Sequence, residues 1–134
     1  MSRLAAACLS LILANSAFGQ GGESVCVKHI EVPEFGPLAR AARLEGKVTV
    51  SLTIDADGKV IEAKGTGAPR VLCTQSEKNI RLWTFTKPTS APSVQTIVYE
   101  YVLEGPPSEH YYSHATFDLP DHVTISSRIP KPDH

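Results

Sequence analysis

The stretch KVTVSLTIDADGKVIEAK, residues 47–64, constrains the fold more than any other part of this 134-residue chain. Val48, Val50, Leu52 and Ile54 alternate with Thr49, Ser51 and Thr53. A period of two puts the aliphatic side chains on one face of a β-strand and the hydroxyls on the other. Asp57-Gly58 then separates two runs of strand formers, a strong short-range signal for a β-hairpin. Gly58 takes positive φ there without steric cost. A two-residue loop pairs Ile54 with Ile61 and Leu52 with Ala63. A three-residue loop, with Gly58 forming a bulge, puts Val60 opposite Ile54 and turns Glu62 inward unless a second bulge resets the strand. A calcium loop is the other reading of DADG, and it fails on ligand count. From Asp55 the fifth position is Lys59, the twelfth is Thr66, and the glycine stands fourth instead of sixth.

Two helices and a third strand flank this hairpin. Pro37 suits a first helical position and Gly46 a left-handed stop. LARAARLE between them predicts a helix over 37–44, with Leu38, Ala41, Ala42 and Leu44 as its apolar stripe and Arg40 and Arg43 pointing outward. Thr74 and Glu77 have the spacing of a capping box, which predicts a second helix over 75–83, with Ile80 and Trp83 on its buried face and Pro88 beyond its end. VQTIVYEYVL, residues 94–103, alternates again: Ile97, Tyr99, Tyr101 and Leu103 share one face, and Thr96, Val98, Glu100 and Val102 the other. Residues 105–134 hold five of the ten prolines and read as an extension that lies on the domain or is partly disordered, with one weak strand pattern at 122–126.

The N-terminus has the build of a secretory signal peptide: Arg3, an apolar run from Leu4 to Leu13, then small residues up to Gly19. Cleavage after Gly19 is expected, because the run is short of the roughly 20 residues that span a bilayer. An uncleaved anchor is the alternative, and Cys8 sits too early in the run for lipidation. Export leaves Cys26 and Cys73, which in an oxidising compartment read first as one disulfide, with two buried thiols as the other possibility. Closing that loop is worth on the order of 4 kcal/mol by chain entropy. The expected organisation is a signal peptide at 1–19, a lead-in at 20–29, a domain at 30–104 and the Pro-rich extension at 105–134, with a periplasmic or secreted location.

Function classes narrow by subtraction. A formal net charge of −1 carries no basic stripe for nucleic acid. Hydrolase, zinc-protease and phosphate-loop motifs are missing from the sequence, so no enzyme activity and no cofactor is expected. His110 and His114 in HYYSH are four apart but have no third ligand and no helical context, so no metal is expected. His29 and Glu31 form too common a pair to indicate catalysis. Trp83 and Phe85 could stack a base or a sugar, though such residues more often fill a core.

PLARAARLEGKVTVSLTIDADGKV, followed by a Thr-Gly spacer, a helix and LWTFTKP, resembles the C-terminal domain of the TonB energy transducers. The matching positions are Pro37, Ala39, Gly46, Val48, Val50, Leu52, Ile54, Asp57, Gly58, Val60, Trp83, Phe85 and, one residue late, Pro88; together they span about residues 30–103. The resemblance implies an α+β fold with two short helices packed on one face of a three-stranded antiparallel sheet. It also implies a partner: an extended peptide of an outer-membrane receptor, added as a strand at the sheet edge. The edge expected to take it is the 94–103 strand, through Thr96, Val98, Glu100 and Val102. Gly36 stands where family members usually carry a second proline, and the Cys26/Cys73 pair is outside the common pattern. With its apolar N-terminus cleaved and no long proline-rich spacer, the chain is expected to bind without pulling. A structural or assembly protein of the envelope, using the fold as scaffold and the tail as contact, is the competing expectation. Pairing of two copies through sheet edges is a further one.

Overall fold

The computed structural model describes residues 25–110, 112–119 and 121–131. The signal peptide expected at 1–19, with Cys8 and the cleavage point, lies outside the described residues. In chain order the elements are β1 (Val27–His29), α1 (Pro37–Ala41), β2 (Gly46–Ile54), β3 (Val60–Thr66), α2 (Arg70–Ile80), β4 (Thr84–Phe85), β5 (Ser93–Ser108), β6 (His114–Asp118) and β7 (His122–Pro130). The class is α+β, but the main sheet has five strands in the order β3-β2-β5-β7-β6, and β1 and β4 form a second, two-stranded sheet. The expected three-stranded sheet is its first part. The other two strands come from the extension, which continues the sheet instead of lying on the domain. Val123 and Ile125 are the reason: their alternation supplies a second aliphatic face, and both are fully buried.

β2 is antiparallel to both neighbours, while β5 and β7 run parallel. Val48, Val50, Leu52 and Ile54 are fully buried on the helix side. α2 lies against β3 and β2, and α1 against β7. The hairpin combines the two registers open to it. Ile54 faces Val60, then a bulge shifts the pairing so that Thr53 faces Glu62 and Leu52 faces Ala63. Ile61 is left exposed and Val60 half-buried. Within the loop Asp55, not Asp57, organises the turn. Its carboxylate accepts the N–H of Asp57 at 2.8 Å and of Lys59 at 3.0 Å. The Lys59 hydrogen bond, ahead of the other contributions, holds its pKa below the ordinary carboxylate value.

Both helices depart from the expected boundaries. α2 starts five residues early, at Arg70 after Pro69, with the N–H groups of Leu72 and Cys73 bonded to Pro69 O. Thr74 and Glu77 therefore lie inside the helix and form no capping box. Glu77 instead accepts the N–H of Gly65 at 2.7 Å. Gly65 lets α2 close on β3, since a Cβ there would lie 2.8 Å from Val48 Cγ1 and 3.3 Å from Cys73 O. α1 stops at Ala41, and the left-handed residue after it is Arg43 (φ 55), not Gly46, which opens β2. Its buried residues are Ala39 and Arg40; Leu38, Ala41 and Ala42 are exposed. Of the expected stripe, Leu44 alone packs against the core.

Cys26 and Cys73 are not paired. Cys73 is a buried free thiol whose Sγ donates to Ala68 O at 3.3 Å. It sits over Gly65, near the C-terminal end of β3. Cys26 lies at the other end, where Thr86 N–H bonds its carbonyl at 2.8 Å and Phe85 N–H bonds Gly58 O. The two regions are about five strand residues apart, roughly 16 Å, well beyond disulfide reach.

Candidate partner-binding edge

A sheet binds an extended chain only where a strand has free backbone N–H and C=O groups. Thr96, Val98, Glu100 and Val102 do not lie at such a place. They belong to β5, which pairs with β2 on one side and β7 on the other. The Val98 N–H also bonds Asp121 O at 2.8 Å. Their side chains face the uncovered side of the sheet, where Glu100 Oε1 accepts from His122 Nε2 at 3.1 Å. The expected edge is covered by the chain's own C-terminal strand.

Among the described residues two outer edges remain. At β3 the pairing of Lys59 with Thr84 closes the start of the strand. The bulge at Ile61 and the exposed Glu62 and Lys64 discourage pairing along the rest. At β6 no described strand pairs with the outer side. His114, Thr116 and Asp118 are exposed on the uncovered face, while Ala115 and Phe117 are half-buried on the helix side.

β6 is held firmly from within. Ser126 Oγ donates to His114 O at 3.5 Å, and Ser127 Oγ donates to Tyr112 O. Ser113 Oγ accepts the N–H of Phe35 at 2.8 Å. Tyr112 stacks on His114 with ring centres 6.5 Å apart, and the Arg128 guanidinium lies 5.6 Å from the Tyr112 ring centre. Phe117 reaches the aromatic core, 6.1 Å from Trp83. Trp83 in turn sits beside Phe85 at 6.3 Å and Tyr99 at 6.4 Å. Trp83 and Phe85 are buried, so they present no stacking surface to a ligand. Asn79 ties this core together: its Oδ1 accepts from Trp83 Nε1 at 2.9 Å and from Tyr99 OH at 2.8 Å, and its Nδ2 donates to Glu31 O at 2.9 Å. The edge strand is therefore backed by packed side chains.

The same core yields a pH prediction. Burial pushes the Tyr101 hydroxyl up to about 12, against the opposing hydrogen bond with Ser76. Burial, with Tyr101 nearby, pushes Tyr99 up further. A tyrosine whose folded value is raised contributes its full stability below the unfolded value near 10, and loses it as the pH rises toward the folded value. The urea midpoint should be level up to about pH 10 and fall steeply above it. An unchanged midpoint at about pH 12 would show that the two hydroxyls ionise freely in the fold.

His110 and His114 do not converge on a metal: among the described residues no three His, Cys, Asp or Glu side chains are grouped to hold one. His29 and Glu31 form an exposed pair at 3.3 Å. Residues 31–103 match the family model of the Gram-negative bacterial TonB protein C-terminal. The chain belongs to that family. No curated protein matches it. TonB C-terminal domains are Gram-negative envelope domains that serve transport, so the chain is a TonB-like envelope module. No helix among the described residues is long and apolar enough to cross a membrane. The TonB-type portion ends within β5, and β6 and β7 lie beyond it. Nothing in the family pattern could have located the β6 edge, because that edge is built from residues outside the match.

Proposed function

We propose that this chain is an envelope binding module that takes an extended segment of another envelope protein as a sixth strand along the outer side of β6, in support of TonB-dependent transport. The observation that carries this reading is that, among the described residues, no strand pairs with the outer side of β6, while β5 is already paired on both sides. An outer-membrane receptor segment is the family's kind of partner. Since β6 lies outside the matched residues, selectivity rests on Tyr112, His114, Thr116, Asp118 and Arg128. This also favours the second reading, an assembly protein whose contact is made by the C-terminal region.

Amide NMR titration with receptor-plug peptides tests the proposal. Shifts should concentrate on residues 112–119 and leave 94–98 of β5 nearly unchanged. Shifts dominated by 94–103 would mean that the peptide displaces β7, and the β6 reading would be lost. A response to envelope assembly peptides but not receptor peptides would favour the second reading.

A further inference from the structure

We infer that the outward face of α2 docks on an anionic phospholipid bilayer. Charge is unevenly placed along this chain. Residues 63–99 hold five Lys or Arg and one acid, a net +4, although the whole chain is net −1. The remaining residues, with eight basic and thirteen acidic side chains, are net −5. The single acid of the basic stretch, Glu77, is turned to β3, where it accepts the Gly65 N–H at 2.7 Å. Arg70, Lys78 and Arg81 are exposed, and Thr74 is half-buried. Spaced by four, four and three residues, these four form one stripe about 16 Å long. It lies on the side of α2 away from the buried Leu72, Cys73, Ser76 and Ile80. Among the described residues no carboxylate pairs with any of the three cations.

Helix stability does not account for the stripe. Lys78 and Arg81 suit the C-terminal end of the helix dipole. Arg70 stands in the first turn, where a cation is disfavoured and no acid offsets it. The chemistry of the face selects the occupant. A protein partner is gripped by buried apolar and aromatic anchors. Along residues 70–82 the one exposed large apolar side chain is Leu82, at 59%. Long cations with a lone aliphatic beside them suit a fluid anionic surface, which needs charge and no fixed shape. Such a surface repels the net negative remainder of the chain, so α2 is the side that faces it. α2 lies against β3 and β2, at the other end of the sheet from β6, so docking leaves β6 away from the lipid. The inference rests on α2 alone and holds or fails separately from the partner proposed for β6.

Cosedimentation of the exported chain with vesicles tests it, using phosphatidylcholine alone and an equimolar mixture with phosphatidylglycerol. Each cation near an anionic surface strengthens binding about fivefold, so three should favour the mixed vesicles about a hundredfold. The preference should shrink as salt is added. K78Q should weaken binding to the mixed vesicles about fivefold and K78Q/R81Q about twenty-fivefold, with K78R close to wild type. K47Q, which removes an exposed cation from the uncovered face of the sheet, should bind as the wild type does. All these variants should melt close to wild type, since the altered side chains are exposed. Equal binding to both vesicles, or binding to neither, overturns the inference, as does a K78Q/R81Q variant that binds like wild type. A loss in K47Q equal to that in K78Q would show overall charge at work and overturn it too. Binding to polyglutamate and to neither vesicle would give the face to an acidic protein instead, and the membrane reading would fall.

Discussion

Replacing Arg40 with leucine should cost the fold about 3 kcal/mol and lower the melting temperature by roughly 10–20 °C. Arg40 lies on α1 but points into the molecule and is only 9% exposed. Its Nε donates to Arg128 O at 2.8 Å, and its Nη2 donates to Ser108 O at 2.6 Å and His110 O at 3.3 Å. Those carbonyls belong to the ends of β5 and β7 and to the turn after β5, where the parallel pairing slips between Glu104 and Ser108. A slipped ladder leaves backbone acceptors without strand partners, and a planar guanidinium can meet several of them at once. Among the described residues no carboxylate pairs with Arg40. Leucine would keep the volume and leave the carbonyls unpaired. Lysine, with a single ammonium, should recover less than half of the loss. Arg43 makes one exposed contact at 3.4 Å, to Pro130 O, so Arg43→Leu should stay within about 0.5 kcal/mol of wild type. Urea and thermal melts of the four proteins measure this. An Arg40→Leu protein as stable as wild type would show that β7 is held without the arginine.

Gly58→Ala should be as damaging, at about 3 kcal/mol, for a local reason. Gly58 has φ +85 and is buried. A Cβ on it would press into the backbone carbonyl of Phe85, and beyond that into Thr86. The Gly58 carbonyl already accepts the Phe85 N–H at 2.8 Å. Alanine would strain the turn and push β4 away, taking Phe85 from its place beside Trp83. Relief by side-chain motion is impossible, because the obstructing atoms are backbone. By contrast, Asp57→Ala, which removes an exposed carboxylate, should change stability by less than about 0.5 kcal/mol. Equal melting temperatures for Gly58→Ala and wild type would refute the close approach.

The hairpin, the order of its strands and the burial of Val48, Val50, Leu52 and Ile54 could be read directly, because alternation and turn chemistry are local. The TonB C-terminal resemblance rested on the same local pattern and holds. The start of α2 was misplaced because Thr74 and Glu77 have capping-box spacing, while Pro69, the actual boundary, gives a weaker signal. The carboxylate of Glu77 was drawn instead to a strand N–H that only packing brings near. Spacing and compartment suggested the Cys26–Cys73 bond, but the two residues lie at opposite ends of β3.

The candidate site was the least readable part. Thr96, Val98, Glu100 and Val102 looked like an edge because a three-stranded sheet would end there. Whether a strand lies at an edge depends on what else the chain brings to it, and β7 arrives from beyond Asp118 through a parallel pairing that has no local sequence mark. The same arrival turned α1 around: Arg40 faces inward because unpaired carbonyls wait there, and Leu38 is left outside, 68% exposed. By itself the sequence determined the strands, the turn at Asp55–Gly58 and the family, all of which follow from interactions a few residues apart. The tertiary structure alone decided which backbone groups stay free, because each free group is what remains after every long-range pairing has been made.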